Sequence, residues 1–460
     1  MRKQAFAVRR FLQSSAVVVA ASLTACETAS ATGFFINQQS VKGLARVDAG
    51  NSAAADDLGT IFFNPAGLIQ LFETAGRAWE PTDFRVSVGS HLIVPRSKQQ
   101  NTGSTAASPG TLGAFAPYTG GDTRNPTDPT PVPNFYIAKK LANGRAAVGF
   151  AANVPFGLKT ESHPAWYGRY DAIEASLRTW NLSVVGAYKI DSNLSIGGGI
   201  NAQYARTTLT SAIPDPLDPG GPTAATDGRI ATVGHDWTPG FNIGVMYNLR
   251  ADGKTRIGAH YRSGMKHDIK GESAITGLTG PLAAFNGIVG ARADLHLPAI
   301  ATIGIYHEVN PRLVLLGELE WYDWSKFNEV RIIFEDGRPE GVRSTNYRDA
   351  YGVAVGAEYR MWSELTVRGG VHYDTTPTRD GFRDTTVPDA ERLWLGLGGT
   401  YRWTKHFSTD FAFNHVFFRD TDIALTRTFF DGTPLATATR INGSVKSVVN
   451  TFSIDFRLAF

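Results

Sequence analysis

Thr451-Phe452-Ser453-Ile454-Asp455-Phe456-Arg457-Leu458-Ala459-Phe460 closes the chain with strict alternation. Successive side chains of a strand point to opposite sides, so Phe452, Ile454, Phe456, Leu458 and Phe460 share one face and the small or charged residues share the other. Strands in soluble sandwiches usually run to about five or six residues. A run of about ten is the length that crosses a bilayer at a tilt. The pattern recurs at 241–250, where Phe241, Ile243, Val245, Tyr247 and Leu249 alternate with Asn242, Gly244, Met246, Asn248 and Arg250. It returns more loosely at 407–414, through Phe411 and Phe413. Lipid offers no partner to an open sheet edge, so spanning strands must close on themselves. The expected fold is therefore all-β: a transmembrane antiparallel barrel with apolar residues outward and small or polar residues lining the lumen.

Working outward, short turns alternate with long connections, the asymmetry of outer-membrane barrels. The short turns are placed at Ala142-Asn143-Gly144-Arg145, Asp191-Ser192-Asn193, Ala251-Asp252-Gly253-Lys254, Asn310-Pro311, Trp362-Ser363 and Thr404-Lys405, all rich in residues that suit tight turns. Loops are expected at 96–132, 210–235, 271–297 and 420–447. The count comes to about fourteen strands over 85–460, within the usual range for such barrels. Residues 32–84 lack sustained alternation and are too few for a domain with its own core, which suits a plug inside the barrel.

The N-terminus reads as a leader. Arg2, Lys3, Arg9 and Arg10 precede a short apolar core at Ser15 to Leu23, and Ala29-Ser30-Ala31 is a small-residue cleavage motif. Removal of 1–31 would leave 460 − 31 = 429 residues. Leu23-Thr24-Ala25-Cys26 also fits a lipoprotein processing box, which would acylate Cys26, the only cysteine in the sequence. Charged residues make up 19% of the chain and the net charge is +3, with no basic cluster dense enough for nucleic acid. No zinc spacing, phosphate loop or nucleophile elbow is present. Gly197-Gly198-Gly199 lies within an alternating strand and opens no helix, so it is not a dinucleotide fingerprint. The expectation is a channel with no catalytic residues, metal or cofactor. A barrel enzyme or an adhesin is the remaining alternative of a different class.

Ordered blocks along the chain resemble the FadL family of outer-membrane transporters for fatty acids and hydrocarbons. They include Thr32-Gly33-Phe34, Gly43-Leu44-Ala45-Arg46, Ala55-Asp56-Asp57, Asn64-Pro65-Ala66-Gly67-Leu68, Pro155-Phe156-Gly157-Leu158, Trp321-Tyr322-Asp323-Trp324-Ser325, Tyr373-Asp374-Thr375-Thr376-Pro377 and the terminal Phe460. Maturation in that family leaves a residue or two before Gly-Phe, which favours cleavage after Ala31. The resemblance implies a monomeric barrel among outer-membrane lipid and lipopolysaccharide of a Gram-negative cell. It also implies passive uptake, from a loop groove to an interior pocket against the plug, then sideways through a gap at a kinked third strand.

The same resemblance assigns roles. Phe34 would reach into the ligand pocket, against an alternative of plain plug packing. Asn64, Pro65 and Ala66 would form a rigid turn facing the gate. Asn153, Pro155 and Gly157 would hold the kink, since Pro removes a ladder donor within a strand; a strand that ends at Val154 is the competing account. Arg343 would meet a ligand carboxylate, against a solvated loop arginine. A second basic position of the family falls at Ser211, which leans toward an uncharged, toluene-like ligand. Asp374 would contact kink and plug, or cap a strand end. From the residues themselves, Leu278, Leu282, Phe285, Ile288 and Val289 in the fourth long loop have the spacing of one face of a short helix. Exposed apolar patches usually serve binding, so ligand capture is expected there, with packing beneath a neighbouring loop as the alternative.

Overall fold

A computed structural model of the chain describes residues 33–73, 82–141, 144–250 and 252–460. The expected leader 1–31, with Cys26 and its cleavage motif, lies outside the described residues, as do Ala142, Asn143 and Ala251 of two turns.

Fourteen antiparallel strands cross in chain order. They are β1 Phe84–Asn101, β2 Thr130–Lys140, β3 Ala146–Asn153 resuming as Gly157–Glu161, β4 Glu174–Lys189, β5 Leu194–Ile213, β6 Gly228–Asn248 and β7 Thr255–Arg262 with Met265–Thr276. The second half holds β8 Gly287–Leu297 with Ile300–Asn310, β9 Leu313–Tyr322 with Glu329–Phe334, β10 Gly341–Ser344 with Ala350–Arg360, β11 Leu365–Asp374, β12 Arg392–Arg402, β13 Phe407–Phe418 with Thr421–Phe429, and β14 Thr437–Ala459. The ladder from Arg85↔Ala459 to Asn101↔Gly443 joins β14 to β1 and closes the barrel. The short turns at 191–193, 310–311, 362–363 and 404–405 fall where the turn residues place them, and strand ends bracket the other two. Outward residues such as Ile243, Val245, Val353, Val355, Phe452 and Ile454 are exposed, while their neighbours Gly244, Ala354 and Ser453 are buried.

The connections expected as loops at 210–235, 271–297 and 420–447 are largely strand. β5 and β6 pair out to Ile213↔Gly228, β7 and β8 to Ile275↔Gly287, and β13 and β14 to Phe429↔Thr437. Beyond the bilayer the outer face is wet, so pairing continues while the apolar-outward alternation that marks a spanning strand stops. Loop residues cap this end. Tyr118, Trp166, Tyr167 and Tyr170 pack with Ile423 and Ile441, and Arg169 pairs with Asp227 at 2.7 Å.

Within the barrel the described residues form four short helices: α1 Val41–Ala45, α2 Asn51–Ala54, α3 Thr60–Phe63 and α4 Gly67–Glu73. Helices this short are not stable alone, and the wall supplies what they lack. Arg256 Nε donates to the Ala53 carbonyl at 2.6 Å, satisfying the C-terminal end of α2. Arg46 is ion-paired with Asp56 at 3.0 Å and with Glu358 of the wall. Two wall glycines make room: a Cβ on Gly258 would overlap the Ser52 carbonyl oxygen, and one on Gly197 would overlap the Ala66 nitrogen.

Candidate functional site: a kinked strand beside an apolar chamber

The wall parts between β2 and β3. Their ladder stops at Phe135↔Ala152, although β2 continues pairing with β1 as far as Thr130↔Ile93. When β3 resumes at Gly157 its ladder is with β4, through Gly157↔Arg178 to Glu161↔Glu174, and a backbone bond from Glu161 N to Pro126 O at 2.8 Å ties its far end to the chain before β2. Lys140 donates its N–H to Asp83, just before β1, whereas Leu141 donates to Ala146 of β3. Even-numbered amides of β2 therefore face β1 and odd-numbered ones face β3, as antiparallel pairing requires. Pro131 and Pro133 occupy odd positions on the unpaired stretch, so the open edge carries no orphan donors at those positions.

The plug takes the place of the missing ladder. Ile36 N donates to Pro155 O at 2.9 Å, Gly157 N to Phe34 O at 3.0 Å and Gln39 Nε2 to Val154 O at 2.8 Å. Thr179 Oγ1 of β4 accepts from Phe156 N and donates to Phe156 O. Asn153, fully buried at the last paired position, donates to Tyr136 Oη, and Tyr136 donates to the Gln39 carbonyl. Val154, Pro155 and Phe156 thus turn from the wall toward the plug.

Phe34 is buried at the centre of an aromatic cluster. Its ring lies edge-on to Trp324 at 4.6 Å, to Phe327 at 5.4 Å and to Phe156 at 6.4 Å. Above it lies an apolar cavity of about 110 Å³, lined by Phe34, Leu158, Leu177, Val330, Tyr347 and, at one side, Arg343. An adjoining cavity of about 140 Å³ shares Leu158, Ala175, Leu177, Leu209, Leu295 and Val330 with it and extends along β5 to β8. Phe34 and Arg343, 343 − 34 = 309 positions apart, therefore border one chamber.

Arg343 is held loosely. Its Nη2 donates to Ser211 Oγ at 3.3 Å, and Nη1 stands 3.9 Å from Asp171 Oδ1. Asp171 is gripped more firmly by others: Arg427 donates to it at 2.7 and 2.9 Å, and Thr385 through both N and Oγ1. Burial alone would raise the Asp171 pKa, but Arg427 and Arg343 outweigh it and hold the carboxyl at about 2. Asp384 also borders the chamber; burial, then the Asp171 charge, push its pKa up.

Other expected positions lie elsewhere. Asn64, Pro65 and Ala66 form the anticipated turn, with Ala66 N donating to Asn64 Oδ1, but the turn rests on β5 and β6 and not on the kink. Asn64 Nδ2 donates to Val245 O at 3.0 Å, and Ser195 Oγ donates to Ala66 O at 3.1 Å. The reason is steric: Gly197 and Gly244 provide the close approach there, while Phe34 to Gln39 already occupy the kink. Asp374 is buried and accepts from Arg392 Nε at 2.9 Å; Arg392 stands 3.5 Å from Asp389, which accepts from Gly33 N at 3.1 Å. It reaches the plug by this relay. The 278–289 segment is a 3₁₀ turn over Gly280–Phe285 followed by strand. Leu278 and Leu282 are buried against Ile213 and Ile275, whereas Phe285 and Ile288 are 45% and 72% exposed. Sequence reasoning missed Asp171, Trp324 and Phe327, whose roles arise only from contacts distant in sequence.

A closed fourteen-stranded barrel, filled by an N-terminal helical segment and containing an apolar chamber, defines an outer-membrane transporter of hydrophobic compounds. The chain belongs to the outer membrane protein transport protein family (OMPP1/FadL/TodX), whose sequence model matches residues 22–460. It is 29% identical over 432 residues to the long-chain fatty acid transport protein of Escherichia coli (strain K12), covering 87% of this chain and 91% of that one. The fold is similar to the crystal structure of a Pseudomonas aeruginosa FadL homologue, with TM-score 0.79 and 22% identity, covering 93% of this chain and 100% of that one. It is also similar to the Ralstonia pickettii toluene transporter TbuX, with TM-score 0.61 and 18% identity, covering 90% and 98%.

Proposed function

We propose that this protein carries long-chain fatty acids passively across the outer membrane, through the chamber and out sideways where β2 and β3 part. The observation that carries the reading is the chamber itself: apolar walls, Phe34 at its floor and a loosely held Arg343 at its side. An apolar cavity with a cation at its side suits an acyl chain ending in a carboxylate, and Asp384 on the same lining has its pKa pushed up by burial, toward the neutral form. The lapse beyond Ala152 provides the exit, and the prolines on its β2 edge leave that edge stable without a partner. In this reading residues 1–31 are removed, 32–84 form the plug, and the barrel works as a monomer among lipid and lipopolysaccharide, with no catalytic step. The name of the E. coli relative agrees with this choice.

A second reading has one observation in its favour. Arg343 already faces Asp171, and Ser211 stands where a second cation would strengthen carboxylate binding. That balance suits an uncharged aromatic hydrocarbon. Binding of oleate and of toluene to the purified protein, with Arg343→Ala alongside, separates the two. Saturable oleate binding that weakens in the variant supports the fatty-acid reading. Toluene binding without oleate binding, indifferent to the variant, replaces it with the hydrocarbon reading.

A further inference from the structure

The wall is interrupted a second time, between β8 and β9. Their ladder has one register shift between Glu308 and Asn310 and then runs unbroken to Ile300↔Tyr322, with Asp323 N still donating to Ala299 O. It resumes only at Ala293↔Ile332 and continues to Ala291↔Phe334. The sum of paired positions rises from 300 + 322 = 622 to 293 + 332 = 625, so β9 carries three extra residues here. They form the 3₁₀ turn Trp324–Lys326, which carries Trp324 and Phe327 inward onto Phe34. Asp294 to Pro298 and Trp324 to Arg331 are left without mutual strand pairing. Phe34 thus touches the displaced segments of both β3 and β9.

This second lapse starts just past the outward-facing Trp321↔Tyr351 pair. Outward aromatics mark the interface of a membrane barrel, so the lapse lies at headgroup height. Outside it is a broad depression of about 980 Å³ lined by charged side chains, among them Lys266, Asp294, Arg292, Lys326, Glu329 and Arg331. Lys266 pairs with Asp294 and Arg331 with Glu329, both at 2.7 Å. Asp268, also on the lining, pairs with Lys270 at 3.0 Å, and Arg292 and Lys326 make no ion pair among the described residues, so four cations face three carboxylates and the depression keeps a small positive surplus. Inside the wall lies the apolar chamber, and Arg292, Ala293 and Asp294 border both the depression and the chamber.

We propose that the β8–β9 lapse is an entrance window from the lipid interface. A single-chain anionic amphiphile rests its carboxylate between Arg292 and Lys326 and passes its chain inward beside Ala293, Leu295 and Val330. This rests on the fatty-acid reading above and adds a route of arrival distinct from the β2–β3 exit. It also makes Phe34 the common fastening of entrance and exit.

Cys26 lies in the expected leader and is the only cysteine in the sequence, so Ala293→Cys places a single thiol in the barrel at the junction. The expected results are threefold. The introduced thiol reacts with a charged, water-soluble thiol reagent, saturating oleate slows that reaction, and a bulky adduct there slows oleate association. Arg292→Gln combined with Lys326→Gln should slow oleate association by about threefold to tenfold, most strongly at low salt, with toluene association unchanged, because rim charges act on encounter rates. An unreactive Ala293→Cys variant beside a reactive Lys326→Cys variant would show a closed wall and overturn the window whatever binds in the chamber. Oleate association that is unchanged after full modification of the Ala293→Cys thiol overturns the window alone. Absence of oleate binding to the unmodified protein overturns the fatty-acid reading and the occupant named here together.

Discussion

Asp171→Asn should loosen the loops yet tighten binding of a carboxylate ligand. Asp171 is fully buried, receives Arg427 at 2.7 Å and Thr385 N at 2.8 Å, and stands 3.9 Å from Arg343. Its carboxyl is held at about 2 against an ordinary 3.8, a difference that corresponds to about 2 kcal/mol of stabilisation lost with the charge. The same charge competes for Arg343. A ligand carboxylate on Arg343 would sit about 7 Å from Asp171, where repulsion at an effective dielectric of about 20 is about 2 kcal/mol. Relaxation and screening reduce this, so the oleate Kd of Asp171→Asn should fall by about threefold to tenfold. Arg343→Ala should raise it by about tenfold to a hundredfold, the worth of a hydrogen bond to a charged group. Toluene affinity should move in neither variant. Isothermal titration or tryptophan quenching reads both ligands, and limited proteolysis checks that the loops still fold. Weaker oleate binding in Asp171→Asn, parallel to Arg343→Ala, would refute the competition and make Asp171 a support that aims the arginine.

Further outcomes follow from the same contacts. Phe34→Ala removes three edge-on ring contacts and should destabilise the plug's N-terminal segment by about 3 kcal/mol or more, seen as faster amide exchange over 34–39. Gly258→Ala should displace α2 from β7, because its Cβ has no room beside the Ser52 carbonyl; protease nicking near Ala54 measures it. Pro131→Val with Pro133→Val restores two donors aimed at β3, worth about 0.5 to 1.5 kcal/mol each. That is too little to displace the three plug bonds at 154–157, so β3 should remain kinked by amide exchange and uptake should persist. The depressed Asp171 pKa contributes stability above the ordinary carboxylate range, lost as pH falls toward 2. The loop tie to Arg427 should therefore survive from about pH 8 to about pH 4 and loosen below it, as exchange over 166–173 would report.

Alternation and turn chemistry made the barrel legible. A lipid-facing residue must be apolar wherever it sits, so β6 and β14 announce themselves residue by residue, and the six short turns carry their own conformational demands. The upper parts of β5 to β8 were illegible for the same reason in reverse: outside the bilayer both faces are wet, and pairing leaves no mark in composition. Pro155 marked a broken strand, but not what replaces the ladder. That is decided by Phe34 to Gln39, more than a hundred residues earlier.

The candidate site divides along the same line. Phe34 and Arg343 stood out one at a time, through resemblance, as residues suited to a pocket. Their meeting across 309 positions, the balance of Arg343 against Asp171, the resting place of Asn64-Pro65-Ala66 on β5 and β6, and the three-residue excess of β9 exist only in the folded barrel. Which side of each strand faces lipid can be read from the residues in order, because water and hydrocarbon act on every residue separately. Where the wall is interrupted cannot, because an unpaired edge persists only where parts of the chain distant in sequence, the plug at β3 and β10 at β9, meet what the neighbouring strand does not.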